Sequence, residues 1–135
     1  MKRRQLAVYR NALAAYQEVE RETLSGRETE ARVLTRGAQK LQDCQNNWGR
    51  EDRNAMLEEA IKYNQRIWSI FQAELSRDDN PLPKKLRLDL LRLSAFIDKR
   101  ILEAIAFPRP EKLTAVININ RNLAAGLRQS ACNPL

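Results

Sequence analysis

Two asparagines stand where a helix would place its apolar stripe, and of all the polar side chains they most need a chemical reason. Asn64 falls among Leu57, Ile61, Trp68, Phe71 and Leu75, and Asn120 among Leu113, Val116, Ile117, Ala124 and Leu127. A carboxamide has two N–H donors and an acceptor oxygen, and it is costly to bury unless those are bonded. The expected use is structural, with the amide bonding a helix end or a loop. The alternative is an amide left to bond an incoming partner.

The other polar candidates carry less chemistry. Glu58-Glu59 and Asp78-Asp79 are adjacent pairs; on a helix such neighbours diverge by about 100° and in a turn they are solvated, so neither makes an acid–base dyad. The chain has no histidine, the commonest general base and metal ligand. Ser69 and Ser94 therefore have no imidazole to activate them. Cys44 and Cys132 read as free thiols, with a bridge between the two left open, and not as a disulfide framework or a zinc site. Gly26, Gly37, Gly49 and Gly126 are isolated, so there is no phosphate-cradling loop. The expectation is a protein that is not an enzyme and needs no cofactor or metal.

At 135 residues, 43% hydrophobic and 30% charged, the chain has the size and balance of one soluble globular domain. No run approaches the roughly 20 apolar residues of a membrane span. Lys2, Arg3 and Arg4 open the chain like a signal peptide, but Tyr9, Arg10 and Asn11 interrupt any apolar core. The expected location is cytoplasmic. The net charge of +7 permits nucleic-acid contact, although a basic footprint must be clustered to count.

These residues are positioned by helices. Leu6, Tyr9, Leu13 and Tyr16 predict a first helix over about residues 4–22. Ser25-Gly26-Arg27-Glu28 has the form of a capping box opening a second, with Ala31, Leu34, Ala38, Leu41 and Trp48 as its stripe and a break near Asn46-Asn47-Trp48-Gly49. A third helix runs from about Asp52 to Ser76. A turn of Asp78, Asp79, Asn80, Pro81 and Pro83 leads into a fourth over about 82–106, stopped by Phe107-Pro108-Arg109-Pro110. A fifth covers Glu111 to about Gly126. The fold class is all-α, a compact bundle of about five helices with a central long fourth helix. Residues 1–14 read as a basic extension or the start of helix one, 15–129 as a single helical domain, and 130–135 as a flexible tail.

The third and fourth helices should pack antiparallel, with Trp68 and Phe71 buried against Leu86, Leu90 and Leu93. Both are apolar on more than one side. The third adds Met56, Tyr63, Ile67 and Ile70, and the fourth adds Leu88, Leu91, Ala95 and Leu102. A helix apolar all round is buried or presents a second face to a partner. Tyr63, Ile67, Ile70 and Leu88 are the candidate partner contacts, and self-association is open.

The order of several blocks resembles the FlaF family of alphaproteobacterial flagellar biosynthesis regulators. The likeness runs through Arg27-Glu28-Thr29-Glu30 into Val33-Leu34, through the stretch Tyr63 to Phe71, through Leu82-Pro83 with Leu86-Arg87, and through Ile117 to Asn120 ending in Gly126-Leu127. The motif residues are Asn64, Trp68, Phe71, Pro83, Leu86, Asn120 and Gly126, all expected to be structural. The family pattern starts near Ala15-Tyr16, so Met1 to Asn11 looks like an extension. The resemblance implies a cytoplasmic protein that promotes flagellin production and export, working as a chaperone-like factor on flagellin. An FlbT-type regulator of flagellin messenger RNA, or the RNA itself, is the alternative partner; the RNA reading lacks a recognisable binding motif or aromatic stacking platform.

Overall fold

The computed structural model describes the backbone of residues 12–132 and the side chains of 26–129. The basic stretch 1–11, the side chains of Leu13 and Tyr16, and the tail with Cys132 lie outside the described side chains. Four α-helices follow one another: α1 (Ala12–Asn46), α2 (Arg53–Leu75), α3 (Lys84–Ala106) and, after a 3-10 turn at Pro110–Leu113, α4 (Thr114–Cys132). No strand occurs among the described residues.

Two predicted breaks are absent. The first and second predicted helices are one, because α1 continues through Ser25 and Gly26. A helix tolerates a single glycine at about 1 kcal/mol, and the buried run that follows holds it in register. The capping box is therefore not a helix start, and no break separates residues 14 and 15. Likewise Gly126 does not end the last helix: it is exposed, a Cβ there would meet nothing, and α4 runs on to Cys132.

The centre of the bundle is α1, not the fourth predicted helix. Its residues Ala31, Leu34, Ala38, Leu41 and Cys44 are all buried, on the three-and-four spacing of one face. Helix α4 runs antiparallel along it: Gln45 Nε2 donates to Thr114 Oγ1 (2.9 Å), and Arg128 Nη1 to Thr35 Oγ1 (3.1 Å) at the opposite end. Helix α2 also runs antiparallel to α1, joined by the Lys40–Glu59 ion pair at 2.8 Å. Helix α3 packs on α2, on the 3-10 turn and on α4, and lies off α1. Only Ser94, Ile97, Ile101 and Ala104 of α3 are buried. Among the described residues no further element packs on its other faces.

As expected, α2 and α3 are antiparallel neighbours: Gln72 Nε2 donates to Asp98 Oδ2 (2.8 Å) at one level, and Arg87 Nη1 to the Arg77 carbonyl (2.8 Å) nearer the turn. The turn is tied down by side chains. Asn80 Nδ2 donates to the Glu74 carbonyl (2.8 Å) while its Oδ1 accepts from the Leu82 N–H (3.0 Å). The Glu74 and Arg77 carbonyls also accept the backbone N–H groups of Arg77 (3.3 Å) and Asn80 (3.2 Å), and Arg87 Nη1 reaches the Leu75 carbonyl (3.5 Å), so these side chains reinforce the end of α2 and the turn after it.

The two asparagines meet in the middle. Asn120 Nδ2 donates to Asn64 Oδ1 (2.7 Å) and to the Leu34 carbonyl (3.3 Å), and Asn120 Oδ1 accepts from Trp68 Nε1 (3.1 Å). Asn64 Nδ2 donates to the carbonyls of Gly37 (3.1 Å) and Ala60 (2.8 Å). Every side-chain N–H of this trio is used, and neither amide is exposed to solvent. The structural use holds, but the acceptors are mid-helix carbonyls, not a helix end or loop. Access to α1 depends on Gly37, where a Cβ would lie 2.5 Å from Asn64 Oδ1 and 3.0 Å from Asn120 Nδ2.

Gly37→Ala tests this arrangement. Alanine gains about 1 kcal/mol of helix propensity, but it displaces an amide whose lost bonds cost about 1–3 kcal/mol each. We expect a net loss of about 2–3 kcal/mol in urea denaturation with the helical circular-dichroism spectrum retained.

Candidate functional site

The residues singled out from the sequence separate into three groups. Asn64, Asn120 and Trp68 form the buried network, and Phe71 is half-buried edge-on to Trp68, with ring centroids 5.7 Å apart and planes at 87°. Pro83 caps α3 at φ −55° and ψ 143°. Leu86, expected to cover Trp68, is 43% exposed; Leu90, one turn on, is the α3 residue that shares a concavity with Trp68 and Phe71.

The four partner candidates do not form one patch. Ile67 is only 6% exposed and belongs to the core, so it is unavailable to a partner. Tyr63 is half-buried with the Lys40 ammonium 5.3 Å from its ring centroid, which turns that flank of α2 toward α1. Ile70 is 54% exposed and lies seven residues on, along the same flank. The opposite flank, with Gln65 and Gln72, faces α3. Leu88 is on α3, 42% exposed, remote from Ile70's flank.

What surrounds Leu88 is the larger feature. Among the described residues, six of the seven exposed large apolar side chains fall between Leu86 and Phe107, and Ile70 is the seventh. Leu88, Ala95 and Leu102 recur every seven residues on one side of α3, with Leu91 and Ile105 beside them. Leu102 is 61% exposed and Ile105 49%. The buried row of Ile97 and Ala104 has the same spacing on the opposite side. Phe96 and Phe107 are partly covered by cations, Arg100 at 5.3 Å and Lys112 at 5.4 Å from the ring centroids.

Beside Ile105 the row opens into a groove of about 370 Å³ between α2 and the end of α3, floored by Leu57 and Ile61 and closed by Pro108. On its rim the Lys62 ammonium, 2.7 Å from Glu58, holds that carboxyl below its ordinary range. Row and groove together make an apolar surface of the shape that takes an amphipathic helix. Leu88 and Leu102 were legible as off-stripe leucines; Ile105 and the groove depend on how α3 is rotated against α2, which spacing along one helix does not contain.

A second concavity of about 480 Å³ lies where α1, α2, the turn, α3 and α4 meet, lined by Leu34, Trp68, Phe71, Pro81 and Leu82. None of the exposed large apolar side chains lines it. Glu30 and Glu74 stand at its wall, and burial first, then Glu74, push the Glu30 carboxyl above its ordinary range against the opposing pull of Arg27. Cys44 is a free thiol, buried in the core, and burial raises its pKa. Among the described residues no group of three or more His, Cys, Asp or Glu could hold a metal, and no helix is long and apolar enough to cross a membrane.

Compared with known proteins, residues 12–127 match the family model described as flagellar protein FlaF. No curated protein and no solved structure matches the chain.

The Glu30 carboxyl has a consequence for stability. The folded state holds its proton more tightly than the unfolded chain does, so its contribution is greatest below the unfolded pKa and declines as pH rises through the interval up to the raised folded value. Glu30→Gln is expected to raise stability at neutral pH and to flatten that decline, checked by urea midpoints across about pH 4 to 7.

Proposed function

The chain belongs to the FlaF family of flagellar proteins, and on that footing we propose that it promotes flagellin production and export by holding an amphipathic helix of unassembled flagellin on the outer face of α3. The observation that carries this reading is the concentration of exposed apolar side chains on one helix. Leu88, Leu102 and Ile105 are large, open to solvent and not needed by the core, since the buried row of α3 points the other way. An exposed apolar surface of this kind marks an interaction site more often than a solvated face.

The chemistry fits a chaperone-like role. A subunit awaiting assembly must keep the apolar faces of its terminal helices covered, and a helix laid along α3 into the groove beside Ile105 would cover one. Binding would be reversible, because about 27 Å of helix gives a modest contact area. No catalytic step is involved. An effect on flagellin production follows if the complex, not the free protein, is what a regulator of the flagellin message reads.

Leu88→Asp and Leu102→Asp test the assignment with purified flagellin in a retention assay. Both side chains are exposed, so both variants are expected to keep the wild-type circular-dichroism spectrum and urea midpoint while binding falls at least about tenfold, as expected when an apolar anchor is replaced by a charge. Ile70→Asp, on the other flank, is expected to bind as the wild type does. Full-strength retention by both folded α3 variants would place the docking surface elsewhere.

A further inference from the structure

Beyond its apolar row, the outer face of α3 has a charge pattern that bears on what can occupy it. We infer that this face receives an amphipathic helix whose apolar seam is flanked by carboxylates, and that a second copy of this chain is not its occupant. This rests on the docking role proposed above and adds the chemistry of the docked helix.

Three cations border the row. Lys84 lies one turn before Leu88, in line with it, and Arg92 and Lys99 follow along one flank; all three are exposed. Among the described residues, Lys84 and Lys99 enter no ion pair, and Arg92 reaches Asp89 only at 3.4 Å, on a carboxylate that Lys85 also holds at 3.0 Å. The one carboxylate on the other flank, Asp98, already accepts a hydrogen bond from Gln72 of α2. On the cations' own flank Glu103, next to Leu102, is engaged by Arg100 at 3.6 Å, so the field over the row is positive on balance, and an incoming helix with Asp or Glu beside its seam meets complementary charge.

The same cations disfavour self-pairing. An antiparallel pair centred on Ala95 would set Leu88 against the copy's Leu102, which is favourable. On one flank, however, it would set Arg92 against the copy's Lys99. A parallel pair in register would bring Lys84 against Lys84 at the head of the row. The antiparallel arrangement places no acid opposite these cations, and the parallel one offers Lys99 only the copy's Asp98, which Gln72 already holds.

Two synthetic peptides of about three heptads test this, alike in a leucine seam and differing in Glu or Lys at the flanking positions. Their binding to the full chain is read by fluorescence anisotropy. The acidic peptide is expected to bind at least about tenfold more tightly, with the preference shrinking as salt rises from about 50 to 300 mM. Lys84→Glu with Lys99→Glu is expected to abolish or invert that preference. The same charge change at the exposed Arg36 and Arg66, off the face, should leave it intact. Leu102→Asp should weaken the acidic peptide. Sedimentation should find a monomer. Equal binding of the two peptides, no binding of either, a preference that survives reversal of the two lysines, or a dimer that Leu102→Asp dissociates would each overturn the inference. If flagellin is retained through Leu102 with no dependence on these lysines, the inference fails alone. If the peptide preference holds while flagellin is not retained, the flagellin reading fails alone.

Discussion

The bundle depends on two amides reaching the backbone of a third helix. Asn64 and Asn120 come from α2 and α4, yet both bond carbonyls of α1, and they bond each other. Burying such groups is tolerable only when every donor is met, and here geometry meets them only because Gly37 has no side chain. The network therefore fixes the register of three helices at once. An apolar core of the same volume would tolerate sliding by a residue or a turn; a set of directional bonds to particular carbonyls does not.

Much of this was legible in the chain, in proportion to how local the signal was. The stripes of α2 and α4 and the proline turn between α2 and α3 follow from spacing within a few residues. That Asn64 and Asn120 stand inside stripes was visible; that they meet was not, since 56 residues separate them and nothing in either neighbourhood names the other. The continuity of α1 was misread for the reverse reason. Ser25-Gly26-Arg27-Glu28 carries a strong local signal for a helix start, but local preferences there amount to about 1 kcal/mol, and the packing of Ala31, Leu34 and Ala38 overrides them. Gly37, the most constrained glycine, looked like any other. The available cue was its position between Leu34 and Ala38 on an otherwise apolar stripe, where a glycine signals a close approach.

The two-sided character of α3 was also legible, and its explanation was not. A helix with leucines on opposite faces is either central or half-exposed, and the sequence reads equally well both ways. The deciding fact is that α1, lined with alanine and glycine, draws α2 and α4 onto itself and leaves α3 outside. The candidate site is thus a by-product of how the core closes. Arg87 then ties α3 to the Leu75 and Arg77 carbonyls at and just past the end of α2 while Asn80 braces the turn, so the helix is anchored at its head while its outer face is left free.

That peripheral position sets a hierarchy of local opening. Helix α3 contributes only four buried residues and none to the amide network, whereas α1, α2 and α4 cannot separate without breaking it. Backbone amides of α3 should therefore exchange with solvent through excursions well below the free energy of global unfolding, leaving the other three helices intact. A ligand that binds only the seated form of α3 draws on that equilibrium, and part of its binding energy is spent on suppressing the excursions. The proposed docking face and the segment expected to open most readily are the same helix, so occupancy of that face and order of the helix would rise together.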